Sequence, residues 1–259
     1  MSDAKTPAAG GLPSWPDLIA SELEPSDQSL QSQIKVAPER IKSAPRDSLI
    51  ASNFGGFAEV LARAAILRGS EACLPAIKAI RPFLPKAIKE IESRLDARRA
   101  ALAVHVLSYV NTVQCCGGKL PAEAKEVENR LPPRLARKAD ELYESRQRTM
   151  AFACLALGKT SLIDTFIVSN RPQTIEPGKT FGPNMPALIG YLAVALEQQA
   201  GPEVIEAAWL NFLEEYPMEQ ATETLSWSDL MWCARAVLVQ FKRQPLETVA
   251  DTLHQLVTR

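Results

Sequence analysis

Histidine is nearly absent from this chain: His105 and His254 are the only two in 259 residues. That scarcity excludes zinc sites built on a histidine cluster and makes a nucleophile–histidine–acid triad hard to assemble. Asp251-x-x-His254 has the spacing of the Glu-x-x-His pairs in di-iron bundles, but that chemistry takes two such pairs and two further carboxylates, and the residue three before His105 is Leu102. The five cysteines contain no Cys-x-x-Cys, and the neighbours Cys115 and Cys116 cannot close an unstrained disulfide with each other. Redox catalysis therefore has weak support, and the odd count in apolar surroundings points to a reducing cytoplasm. A Gly-x-Ser-x-Gly elbow for acyl transfer is missing too. Aromatics are sparse at 6%, so Ala and Leu must fill much of the core, which favours close helix packing over a β-sandwich.

Charge of one sign is also lacking. A formal net charge of -1 leaves no basic footprint for nucleic acid. The N-terminus has neither signal nor transit character. No apolar run approaches the roughly 20 residues of a membrane span, the nearest being Ala100 to Val110, broken by His105 and Ser108. Two strings, Gly158-Lys159-Thr160 and Gly178-Lys179-Thr180, imitate part of a phosphate loop. The earlier glycine that the Walker pattern requires is replaced by Ala153 and Gln173, so neither is expected to bind nucleotide.

What is present is helical pattern. Arg134 to Arg148 are good helix formers, and they lead into the wholly apolar run Met150 to Leu157, closed by Gly158. Thr160 or Ser161 can cap a second helix with Leu162, Ile163, Phe166 and Ile167 on one face. This hairpin, apolar on every side, is expected to be the interior element around which the chain is organised. A second hairpin turns at Gly69, and the two align at an offset of 89 residues, which raises a pseudo-duplicated or solenoid-like array as one arrangement. Apolar spacing from Lys86 to Cys116 reads as one long helix, or as two broken near Arg98-Arg99, closed by Gly117-Gly118. Pro132-Pro133 starts the next helix, and Ser226 and Pro245 mark the starts of the last two. The fold class is all-α, a multi-helix array or irregular bundle: a disordered tail over 1–14, then one helical domain over 15–259. A short helix is expected over Trp15 to Glu24 and loop over Pro25 to Pro45. A long loop spans 169–186, and loops of that length are often functional.

Two surface features remain. Asp140, Glu141 and Glu144 put carboxylates on one helical face among Arg137, Lys138, Arg146 and Arg148, an ordinary salt-bridged surface. From Asn211 to Asp229, by contrast, Glu214, Glu215, Glu219 and Glu223 occur with no Lys or Arg, interleaved with aromatics that include Trp227. A local acidic field with aromatic anchors suits a surface that meets a basic partner, although tryptophans in a core would leave the same trace. The partner-binding candidates are therefore Glu214, Glu215, Glu219, Glu223 and Trp227, with the 169–186 loop second; no catalytic residue, metal or cofactor is assigned.

The segments Leu61-Ala-Arg-Ala-Ala-Ile-Leu-Arg-Gly69 and Met150-Ala-Phe-Ala-Cys-Leu-Ala-Leu-Gly158 resemble the all-helical immunity proteins of bacterial polymorphic-toxin systems. The resemblance covers the middle of the chain and carries over no site residues. It implies a cytoplasmic protein that binds and blocks one cognate toxin. The near-neutral charge departs from the acidic balance of an inhibitor that mimics nucleic acid, so a nuclease target gains nothing from it. The expected function is non-catalytic binding of one protein partner, with no nucleic acid and no membrane. A helical-repeat scaffold or adaptor and an enzyme with an unrecognised site in a helical groove are the alternatives.

Overall fold

Eleven α-helices with described bounds, and further helical residues at 202–205 and 207–208, follow one another in a computed structural model, which describes residues 50–179, 181, 184–205, 207–208 and 226–257 and contains no strand among them. They are α1 (Phe54–Arg68), α2 (Leu74–Ile80), α3 (Leu84–Ser93), α4 (Ala97–Cys115), α5 (Ala122–Lys125), α6 (Val127–Ala136), α7 (Glu144–Ala156), α8 (Ile163–Phe166), α9 (Met185–Glu197), α10 (Trp227–Arg235) and α11 (Val249–Val257). The all-α class follows directly. The expected tail, the Trp15 to Glu24 helix and the Pro25 to Pro45 loop lie outside the described residues.

Helix α1 is apolar or small on nearly every side and is enclosed accordingly, with α4 along it and α10 and α11 against its other faces. With its preceding turn it runs over Ile50–Arg68, long and apolar enough on average to cross a membrane, and this stretch, not Ala100 to Val110, comes nearest to a span. Its apolar character is put to use inside the fold, where 61% of that window is buried. Helix α10 also packs on α4 and α7, while α8 and α9 pack on α7 and α3 on α4. Among the described residues the last helix, α11, packs on the first, α1, a contact between units far apart in the chain; a solenoid-like array is proposed no further on this packing.

The central hairpin is buried as its sequence implies: Met150 to Ala156 are all within the core. Gly158 has φ +65° and Gly69 φ +78°, a region open chiefly to glycine. After each comes one 3-10 turn and a short helix, so the local grammar of the two hairpins does repeat. Neither Thr160 nor Ser161 caps α8; both belong to the turn, and the turn's geometry replaces the cap. Three further boundaries differ from the sequence pattern. Arg134 to Arg148 is not continuous helix, because α6 ends at Ala136 and Leu142 and Tyr143 are extended before α7. Pro132 and Pro133 lie inside α6, not at its start. The break between α3 and α4 falls at Arg94 to Asp96, where the Asp96 carboxylate accepts the Arg99 N–H at 3.0 Å. At α10 the pattern and the structure coincide: Ser226 and Asp229 form a capping box.

One polar network crosses this core. Arg235 of α10 donates to both carboxylate oxygens of Glu128 on α6, at 2.5 and 3.0 Å, and to Asn111 Oδ1 on α4 at 3.0 Å. Its guanidinium lies 5.5 Å from the Trp232 ring centroid, and the Trp232 indole donates to Ser108 Oγ at 3.2 Å. Removing one member leaves a buried charge without its counterion, which typically costs several kcal/mol. In equilibrium unfolding, Arg235→Met should lose about 3–5 kcal/mol, and adding Glu128→Leu should restore part of that loss. Strictly additive losses would mean that the pair is not coupled. Leu155→Ala, in the filled interior of α7, should cost about 2–5 kcal/mol, against near zero if that helix were superficial.

Candidate functional site

The first half of α7 faces outward where its second half is core, and this change of surroundings builds the main surface feature. A cavity of about 340 Å³ opens between the start of α7 (Glu144, Gln147, Arg148), the stretch Asp164 to Val168, and Met185 and Pro186 at the start of α9. Asp140 completes the lining. Phe166 and Met185 are buried residues that give it an apolar base. Large exposed hydrophobics are rare among the described residues. Two of the three are here: Val168, 82% exposed, lines the cavity, and Tyr143, 78% exposed, sits beside the lining residue Glu144. Asp140 and Glu144, read from the sequence as one helical face, lie instead on a 3-10 turn and on α7, while Glu141 pairs with Lys138.

The loop expected over 169–186 ends at Asn184, because Met185 and Pro186 already belong to α9, and its first residues are held beside this cavity. Arg171 reaches Asp164 at 2.7 Å, Glu197 at 2.8 Å and the Thr160 carbonyl at 2.6 Å. Ser169 donates to Asp164 as well. Hydrogen bonds from Thr160 and Arg171 pull the Glu197 carboxyl below its ordinary range. Farther along, the Tyr191 hydroxyl donates to the Glu176 carbonyl at 2.9 Å, and Phe181 meets the Tyr191 ring edge-on at 5.0 Å. A second cavity of about 400 Å³ lies between this part of the loop and α9.

Of the residues singled out in the sequence, Glu214, Glu215, Glu219 and Glu223 lie outside the described residues. Trp227 is half-buried at the first position of α10, with the Arg63 guanidinium of α1 at 5.6 Å from its ring. It is thus engaged within the fold. Nearby, the Ser228 N–H approaches Glu59 Oε2 at 3.4 Å, and Asp229 is buried with its carboxyl pushed up by that burial. The two histidines are built into helix contacts. His254 is half-buried, with Nδ1 3.0 Å from the Ile66 carbonyl. His105 packs so closely on α1 that a Cβ at Gly55 would stand 3.0 Å from its ring. All five cysteines are free and buried. No group of three His, Cys, Asp or Glu among the described residues gathers as metal ligands.

Sequence reasoning did not find the cavity. Its residues come from four separate segments, and each is ordinary in its own; Val168, an apolar residue at the end of a helical pattern, was the nearest available signal. Comparison with protein families, curated proteins and solved structures finds no match to this chain.

Burial, with the Arg146 charge adding to it, holds the His105 pKa down to about 4, from an ordinary 6.5. The folded value lies below the unfolded one, so the unfolded chain takes up the proton first as pH falls. Stability present above pH 6.5 is therefore lost between about 6.5 and 4. Asp229 acts in the opposite sense, because its raised carboxyl opposes folding at neutral pH and relents on acidification. In denaturant titrations His105→Gln should remove roughly 1–2 kcal/mol of the stability loss between pH 6.5 and 5. A profile identical to wild type would show that the imidazole does not stay neutral in the fold.

Proposed function

We propose that this chain is a non-catalytic binding protein that captures one protein partner at the cavity between α7, α8 and α9. The observation that carries this reading is Val168, 82% exposed on the lining of a preformed hollow with an apolar base, with Tyr143, 78% exposed, next in the chain to the lining residue Glu144. Monomeric surfaces seldom leave large side chains standing at such a place without use, and aromatic anchors beside a pocket are the usual centre of an interface. Asp140 and Glu144 border the same opening, whereas Asp164 is already engaged by Arg171. The partner is therefore expected to present a basic rim around an apolar projection, since opposite charge at a rim steers association. Pinning by Arg171 favours recognition with little rearrangement, which lowers the entropic cost of binding.

A cytoplasmic immunity protein that blocks a cognate toxin is a specific form of this proposal, supported by the likeness of the two Ala-rich hairpins. The acidic stretch with Glu214, Glu215, Glu219 and Glu223 remains a second proposed contact surface, independent of the cavity.

Affinity capture at moderate salt from cells that make the protein, with wild type and a Tyr143→Ala/Val168→Asp variant side by side, tests the cavity. The protein that wild type retains stoichiometrically should bind the variant at least about tenfold more weakly. Both side chains are exposed, so thermal stability should hardly change. Equal retention by the two proteins would remove the cavity from consideration.

A further inference from the structure

Helices α2 and α3, joined by the 3-10 turn Arg81–Phe83, present a surface with charge of one sign. From Leu74 to Lys89 the chain carries Lys78, Arg81, Lys86 and Lys89 and no Asp or Glu. All four are exposed, and none belongs to an ion pair among the described residues. Glu90, the next carboxylate, is already engaged, accepting the Ala51 N–H at 3.1 Å. Apolar groups lie among these charges. Leu74, Lys78 and Arg81 follow at helical spacing with Pro75, Ala79 and Pro82 beside them, all exposed, while Ala76, Ile77 and Ile80 hold the opposite side in the core. Leu74, 41% exposed, is the remaining large exposed hydrophobic among the described residues and has no part in the cavity lining.

Such a face suits an acidic segment with apolar side chains of its own. Residues 15–30, outside the described residues, carry Asp17, Glu22, Glu24 and Asp27 with no Lys or Arg, among Trp15, Leu18, Ile19 and Leu23. The described chain begins in the 3-10 turn Ile50–Asn53, which packs on α3, and the Ala51–Glu90 bond fixes that entry. Residues 31–49, fully extended, would reach about 60 Å, whereas α2, the turn and α3 together run to about 30 Å. The other acidic stretch, Glu214 to Glu223, leads instead into α10, whose main contacts are with α1, α4 and α7.

We propose that residues 15–30 of the same chain dock on the exposed face of α2 and α3, with their carboxylates against Lys78, Arg81, Lys86 and Lys89 and their apolar side chains on Leu74 and Pro75. Exposed ion pairs are individually weak, but a tether that spans both sites holds them at an effective concentration of the order of millimolar. The docked segment shields the basic face, so an acidic macromolecule reaches it only by displacing the segment. The contact is independent of the cavity between α7, α8 and α9.

Zero-length carbodiimide coupling of the full chain at low ionic strength, read by peptide mass spectrometry, joins carboxylates to amines only where they touch. A mixture of isotopically light and heavy protein separates contacts within one chain from contacts between two. Expected are crosslinks of uniform isotope from Asp17, Glu22, Glu24 or Asp27 to Lys78, Lys86 or Lys89. In Lys86→Glu/Lys89→Glu those to Lys78 should fall at least about fivefold, and adding Glu22→Lys/Glu24→Lys should restore them. Lys86 and Lys89 are exposed, so their variant should keep wild-type thermal stability. Absence of coupling from residues 15–30 overturns the proposal. So do crosslinks of mixed isotope, which would seat a second copy on the face, and coupling of the face to Glu214, Glu215, Glu219 or Glu223 instead. Sedimentation of wild type with phosphatidylserine vesicles, lost in Lys86→Glu/Lys89→Glu, would overturn it as well, because the face would then be open to an anionic membrane.

Discussion

A guanidinium held away from water decides how the bundle closes. Arg235 is 7% exposed, and its charge is answered by Glu128 from a second helix and Asn111 from a third. Apolar side chains tolerate many registers at modest cost, whereas a buried ion pair that misses its partner costs several kcal/mol. The crossing of α10 over α4 and α6 is thereby narrowed to an arrangement that satisfies all three groups. Trp232, one turn before Arg235 and bonded to Ser108, adds a second constraint on the same crossing. Whether such a pair adds net stability over an apolar replacement is secondary here; its consequence is a defined packing for helices otherwise rich in interchangeable Ala and Leu.

The same helix carries that constraint toward the cavity. Beyond Arg235 the chain continues as a π-helical segment, Ala236–Phe241, whose wider turn lies against α7. There Gln240 donates to the Ala156 carbonyl at 2.6 Å, satisfying an end of α7 that its own helix leaves open. Insertions of this kind are often kept because they aim a particular side chain, and here the side chain fixes the C-terminal end of the central hairpin. With that end held and the next residues buried, the first turn of α7 projects outward from a rigid base. The cavity inherits its shape from the core beneath it.

Local signals in the sequence were read well where the chemistry is local. Gly158 in its left-handed turn, Gly117 past α4, the Ser226 capping box and the apolar run Met150 to Ala156 each depend on a few neighbouring residues. The misreadings have a common cause. Leu142 and Tyr143 interrupt a run of good helix formers without Gly or Pro, and Pro132-Pro133 sit inside a helix whose packing on α4 outweighs their propensity. In both places tertiary contacts overrule an intrinsic preference of the order of 1–3 kcal/mol. Long-range features left no trace at all: Glu128 and Arg235 are 107 residues apart, and the cavity joins Asp140 to Pro186.

The binding reading proposed above fits the way reactive and apolar groups are distributed among the described residues. The thiols are enclosed, His105 is pressed against Gly55, and His254 is turned onto a helix carbonyl, so the usual nucleophiles and bases serve the packing of helices. A binding surface asks for the reverse allocation, with large apolar side chains outside and charges at the edge. Tyr143 and Val168, beside Asp140 and Glu144, have that allocation. A partner that covers these two apolar groups would gain roughly 1.5–3 kcal/mol for each. On the proposed reading, that gain is what the outward turn of α7 would contribute to a complex.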